Sequence, residues 1–252
     1  MAPKPQPVKG EHLWSKRFGD AGEQSNAEIA ADFAGNIVIA GGFEGTLNFG
    51  GESLVCAGQE DIFVAKFTPG GAHVWSKRFG DASNQALAGI ATDAGSNVVL
   101  VGTFAGAVDF GGGALTSAGE YDIFVAKLFY DGGHYWSRRF GDALVQGLGG
   151  VAIDIAANVA AAGRFSGTVD FGGGTLTSAG EDDVFVARLG PSGSHLWSKR
   201  FGDAANQEAS DIAAESGGNV VVTGSLYGTV DFGGGTLTSA GEEDVFVAKF
   251  GP

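Results

Sequence analysis

The sequence predicts an all-β fold, a β-propeller of four blades of 61 residues, and three observations point to it. Trp14, Trp75, Trp136 and Trp197 are the only tryptophans, spaced by 61 residues, each inside one motif that runs from His12 to Asp20 and recurs at His73, His134 and His195. Glycine supplies 45 of 252 residues, more than twice the usual share of about 7%, yet follows no three-residue period, and Pro numbers only 6. The apolar runs are short, β-branched and interrupted by Gly, so no window carries the 3.6-residue period or the caps of a helix.

The same register returns Gln24, Gln85, Gln146 and Gln207, then Phe49, Phe110, Phe171 and Phe232, then Asp61, Asp122, Asp183 and Asp244. The second unit shows how each element arises. Gly89–Asp93 reads as a first strand, a, and Asp93-Ala94-Gly95-Ser96-Asn97 as a turn of residues that tolerate left-handed backbone. Asn97–Gly102 is a β-branched run, strand b, apolar enough to be covered on both faces. Asp122–Leu128 is strand c, and Asp131-Gly132-Gly133 turns it back into strand d, Tyr135–Phe140. Between b and c, two alternating segments around Gly111-Gly112-Gly113 form an added hairpin, Ala107–Ser117.

Four-stranded units that are apolar on both faces suit radial stacking. The chain opens on a d segment, Leu13–Phe18, and ends on a c strand, Val245–Phe250, so the last blade is expected to take its fourth strand from the N-terminus. An eight-bladed ring from two chains, or a piece of a longer array, shares this phase. Residues 1–10 read as a Pro-rich linker without the apolar stretch of a signal peptide, and 11–252 as a single domain.

The formal charge of −14 disfavours nucleic acid and anionic lipid, and no apolar run approaches the ~18 residues of a membrane-spanning helix. Cys56 is the only cysteine, which excludes an intrachain disulfide and a thiolate zinc cluster.

The pattern Trp-x-x-x-Phe-Gly-Asp, then Ile-Ala-x-Asp-x-x-Gly-x-Asn-Val-x-Val-x-Gly, then Asp-x-Phe-Val-Ala-Lys-Leu and a Gly turn, resembles the bacterial β-propeller (SBBP) repeat, with a strand rhythm similar to NHL propellers. The resemblance covers the chain from Gly10 onward. It implies a secreted or cell-surface bacterial protein with a binding or scaffolding role, and it carries over no catalytic residues. Glu215 departs from Asp32, Asp93 and Asp154, Leu226 from Phe104, and Cys56 from Ser117.

Antiparallel pairing about the c–d turn brings Asp61 towards Asp81, Asp122 towards Asp142, Asp183 towards Asp203, and Asp244 towards Asp20 across the closure. These oxygen-rich pairs are candidate Ca2+ ligands. The competing reading is that each Asp accepts backbone N–H bonds, or is neutralised by Arg17, Arg78, Arg139 and Arg200. Asp109 with Phe110, Asp170 with Phe171 and Asp231 with Phe232, beside Gln85, Gln146 and Gln207, offer the ring and polar acceptors of a carbohydrate site. The same phenylalanines can instead close over each blade as lids. The four histidines are expected at the outer rim, too far apart to share a metal. The sequence therefore describes a non-enzymatic binding or scaffold module, expected to be monomeric, for a glycan or protein partner. A lectin-like module using the hairpin face is the alternative.

Overall fold

The computed structural model describes residues 9–252, so most of the expected Pro-rich linker lies outside the described residues. All regular structure within them is β-strand. Unit 1 holds β1 (Gln24–Ala31), β2 (Ile37–Phe43), the short pair β3 (Thr46–Leu47) and β4 (Leu54–Val55), β5 (Asp61–Phe67) and β6 (His73–Phe79). Unit 2 holds β7 (Gln85–Thr92), β8 (Val98–Phe104), β9 (Ala107–Val108), β10 (Leu115–Thr116), β11 (Asp122–Leu128) and β12 (His134–Phe140). Unit 3 holds β13 (Gln146–Ile153), β14 (Val159–Phe165), β15 (Thr168–Asp170), β16 (Thr175–Thr177), β17 (Asp183–Leu189) and β18 (His195–Phe201). Unit 4 holds β19 (Gln207–Ala214), β20 (Val220–Leu226), β21 (Thr229–Asp231), β22 (Thr236–Thr238) and β23 (Asp244–Phe250).

Units 1 to 3 are four-stranded antiparallel sheets in the order a-b-c-d, unit 4 is a three-stranded sheet, and the four added hairpins stand apart as two-stranded ribbons. Strand a starts four residues earlier than its apolar run suggests. Gln85 already pairs with Phe104, and a bulge between Leu87 and Gly89 absorbs an extra residue so that the ladder continues past the glycine.

Strands β5, β11 and β17 are buried at all seven positions. Alternate residues face the preceding and the following unit. Val38, Ala40, Ile62 and Val64 of unit 1 pack on Leu100, Phe104 and Phe124 of unit 2, and the same positions recur at the next two interfaces. A polar clasp accompanies each contact. The Trp75 indole donates to the Tyr130 carbonyl at 3.1 Å and Trp136 to Pro191 at 2.9 Å, so the d strand of one unit grips the c–d turn of the next.

The ring is where sequence and structure part. The strands a, from β1 to β7 to β13 to β19, touch in succession, and no comparable contact joins β19 back to β1. Residues 11–20 form no strand, and β23 pairs only with β20, so the expected closure through Leu13–Phe18 is not formed. That segment instead sits on unit 1, where its apolar side chains find partners. Trp14 donates to the Pro69 carbonyl at 3.0 Å, and the Phe18 ring stacks on Phe67 at 5.4 Å and meets Phe49 at 4.8 Å. Even so, the four units face a common axis, because Glu28, Gly89, Gly150 and Asp211 border one cavity of about 320 Å³.

The a–b turns need left-handed backbone at one position, occupied by Gly35 (φ 78°), Ser96 (φ 62°), Ala157 (φ 62°) and Gly218 (φ 82°). A Cβ there costs roughly 1 kcal/mol. Ala157→Gly should therefore raise the unfolding free energy by about 1 kcal/mol in a denaturant melt; an unchanged or lowered midpoint would refute this account of the turn.

Candidate functional site

The expected meeting of strand c with the end of strand d is present in units 1 to 3. Asp61 is fully buried, and its Oδ2 accepts from the Arg78 guanidinium at 2.5 Å and from the Ala57 amide at 2.7 Å. Asp122 with Arg139 and Asp183 with Arg200 repeat the arrangement. Oδ1 of all three aspartates has no hydrogen-bond donor. In unit 1 it lies against Gly80, where an added Cβ would meet Asp61 Oδ1 at 2.3 Å and Gln85 Oε1 at 2.2 Å. Only glycine fits there.

Asp81 is held differently. Its Oδ1 accepts from the Ser83 amide at 2.8 Å and the Gln85 side chain at 2.9 Å, while Oδ2 accepts from the Ala107 amide at 2.8 Å. Gln85 also donates to the Ala105 carbonyl at 3.1 Å, tying the d–a connection to the root of the hairpin. Asp142 with Gln146 and Asp203 with Gln207 do the same. Asp20 accepts from Gly22 and Thr46, whereas Asp244 accepts from Ala240 and, among the described residues, meets no Arg. The structure does not bring Asp20 and Asp244 together as the closure required. Among the described residues no group of three or more His, Cys, Asp or Glu side chains is placed to hold a metal ion, and Asp81, Asp142 and Asp203 use both carboxylate oxygens in hydrogen bonds.

The hairpin residues divide. Asp109 accepts from the Gly111 and Gly113 amides, and Asp170 and Asp231 from the matching glycines, so these carboxylates shape the turns. Phe110 and Phe171 are buried, Phe110 lying 4.9 Å from Phe79 and 5.0 Å from Phe124, and Phe232 packs on Phe201 and Phe246. They are lids. Gln85, Gln146 and Gln207 are also buried and do not share a surface with these rings. Asp170 and Phe171 do border an open rim groove of about 450 Å³ with Arg138, Arg139 and His195. Three histidines sit at the rim, each bonded within its strand, as His134 is to Ser137 at 3.1 Å.

Two features escaped the motif reading. At the a–b turns Asp32 pairs with Lys66 at 2.8 Å, Asp93 with Lys127 at 2.9 Å and Asp154 with Arg188. These pairs are buried, and they latch neighbouring units. Lys66 also donates to Tyr130 of unit 2 at 3.1 Å, and Arg188 to the Gly218 carbonyl of unit 4 at 2.6 Å. Burial raises the Asp32 pKa, yet Lys66, Asn36 and backbone amides outweigh it and hold the group at about 2. Asp203 is held at about 2 by the Thr229 hydroxyl and the Ala205 amide.

The second feature is a cavity of about 370 Å³ bordered by units 2, 3 and 4, at the end of the axis where the b–c and d–a connections lie. Asn84, Thr103, Tyr121, Gln146, Arg164 and Glu208 are among the residues that line it. Arg164 reaches Asp182 at 3.2 Å and Glu208 at 3.5 Å, and Asn84 donates to the Tyr121 hydroxyl at 3.4 Å. Apart from Gln146, these side chains occupy positions that differ between units. Where unit 3 has Arg164 the others have Gly42, Thr103 and Ser225; Tyr121 replaces Glu60, Asp182 and Glu243; Glu208 replaces Ser25, Ala86 and Gly147. Arg164 is recognisable in the sequence as a residue that breaks the repeat, and comparing the units column by column would have found its neighbours.

Fold and site together define an all-β repeat protein of the β-propeller type. The chain is similar to an uncharacterised WD repeat-containing protein of Acanthamoeba polyphaga mimivirus, 26% identical over 202 residues, a stretch covering 66% of this chain and 14% of that protein. No protein-family profile matches the chain, the bacterial repeat suggested by its motifs included. Among the described residues no helix is long and apolar enough to cross a membrane.

Two expectations follow. Asp81→Ala strands the Ser83 and Ala107 amides and should lower the unfolding free energy by about 1–3 kcal/mol, equally in Ca2+ and in chelator. A natural chain that melts lower on chelation, with the shift lost in Asp81→Ala, would assign the oxygens to Ca2+ instead. Because Asp32 and Asp203 titrate at about 2 in the fold, against a reference value of 3.8, their stabilisation is complete above the higher value and disappears as pH falls towards the lower. Melting temperature should therefore be level from neutral pH to about pH 5 and drop between about pH 4 and 2; a drop beginning above pH 6 would contradict this.

Proposed function

We propose that this chain is a non-enzymatic binding or scaffold module that reads its ligand at the axis-end cavity. One observation carries the proposal: the polar side chains lining that cavity, Gln146 apart, stand at positions that differ from unit to unit. The residues shared by all units are consumed by turns, lids and ion pairs, so the variable ones are those free to be chosen for a partner. Tyr121 gives a partly exposed ring beside Asn84 and Thr103, and Arg164 is held in place by two carboxylates, a set suited to a hydroxyl-rich glycan or a polar peptide segment. On the resemblance of its motifs to bacterial repeat proteins, we place the module in a secreted or cell-surface setting.

The rim groove at Asp170 and Phe171 supports the lectin-like alternative. Glycan and peptide arrays probed with the natural chain, with Tyr121→Ala and Arg164→Ala, and with Asp170→Ala separate the two. The proposal expects binding to fall at least about tenfold, near 1.4 kcal/mol, in the two cavity variants and to persist in Asp170→Ala. Loss confined to Asp170→Ala would move the site to the hairpins, and turnover of any bound probe would overturn the non-enzymatic reading.

A further inference from the structure

Unit 4 exposes a surface that units 1 to 3 keep covered. Val245 and Val247 on β23 are 80% and 69% exposed, whereas their counterparts Ile62 and Val64 are fully buried against the next unit. The free edge of β23 also lacks the d strand that β5, β11 and β17 each have. At the other end, Ile29 of β1 is 69% exposed, and His12–Phe18 carries the sequence of a d strand without a c strand to pair with.

We propose that the exposed end of unit 4 binds the unit-1 end of a second copy of this chain, with the partner copy's His12–Phe18 segment adding to β23 as its fourth strand. The register is set by the three interfaces already inside the chain. In unit 1, Ile62 pairs with Phe79, Val64 with Lys77 and Ala65 with Ser76. The 61-residue spacing converts these into Val245 with Phe18, Val247 with Lys16 and Ala248 with Ser15 across the two copies. Arg17 then reaches Asp244, the one member of its series without an arginine, as Arg78 reaches Asp61. Lys249, whose side chain is 53% exposed and bound to Glu215 alone, faces the turn carbonyls of the second copy as Lys66 faces those of unit 2.

Trp14 and Phe18 are fixed on unit 1 in the manner of Trp75 on unit 2, at the same sequence offset, so strand and apolar face form one preassembled end. One feature favours a second copy over the chain's own β23 as the acceptor of that end. No contact comparable to those between successive units joins β1 to β19, and the valines of β23 stay open to solvent. The contact is head-to-tail, so it closes a ring, eight units for two copies, or continues as a filament. Strand addition to a free edge supplies the main-chain bonds, and the alternate side chains supply the register.

Cysteine pairing tests the proposal. In a Cys56→Ser background, Lys16→Cys and Val247→Cys are placed on separate molecules, mixed and oxidised. A disulfide-linked heterodimer from the mixture, absent when Val245→Lys is added to the second molecule, supports it, together with sedimentation that rises with concentration. Both valines are exposed, so an unchanged melting temperature in Val245→Lys shows that the fold is intact. No heterodimer from the mixture overturns the proposal, as does efficient disulfide formation within a single chain carrying both cysteines that leaves its mass monomeric. Neither result bears on the axis-end cavity.

Discussion

Each sheet in this protein is apolar on both faces, and no unit can bury both by itself. A strand such as β11 shows Phe124 and Ala126 to the unit before it and Ile123 and Val125 to the unit after it, all buried. Burying a Phe or Val side chain contributes on the order of 1.5–3 kcal/mol, so the units are stable chiefly as neighbours. This requirement fixes the rest of the architecture. It sets the face-to-face stacking of successive sheets, the indole clasps that hold successive units in register, and the lids that seal each sheet where the next unit does not reach. It also makes units 1 and 4, each covered by a neighbouring unit on one face only in this chain, different from units 2 and 3.

A second constraint follows from packing so tightly. Carboxylates at the sheet corners and the a–b turns lie in an apolar setting, where an unpaired charge is costly. Asp61 meets Arg78 and Asp32 meets Lys66, and both pairs gain further backbone bonds. Removing one partner would leave the other charged and buried, so these positions admit little change from unit to unit. Where the basic residue becomes Arg188, the acid remains; where the acid becomes Glu215, Lys249 still meets it. The network holds the fold together, and the repetition of its residues is structural in origin.

Much of this was legible in the sequence. The 61-residue period, the β-branched runs and the glycine turns give the unit, its hairpin and its strand order, because those depend on contacts within one unit. The Asp61–Arg78 neutralisation and the turn-forming role of Asp81 were among the alternatives that spacing allowed. What spacing could not show is contact across units. Lys66 lies 34 residues from Asp32 and 64 from Tyr130, and nothing in the local pattern of strand c marks it as a buried cation rather than a solvated one. The bulge at Leu87 was hidden because glycine reads equally well as a strand boundary. Closure failed for a related reason. The d-strand character of His12–Phe18 states what the segment can pair with, and leaves open which copy of strand c, or which molecule, it meets.

The same logic locates function by subtraction. When four units share a frame, each shared residue has an explanation in that frame, and a residue's identity across units says nothing of a ligand. Positions at the axis end escape this, since they lie outside the shared turns, lids and buried ion pairs and differ from unit to unit. That unit 2 places Tyr121 there, unit 3 Arg164 and unit 4 Glu208 is therefore unexplained by folding alone. Three different side chains from three units converge on one cavity, and a symmetric scaffold gains an asymmetric surface without altering its core. Such a surface can discriminate among partners, because no single unit carries the whole set.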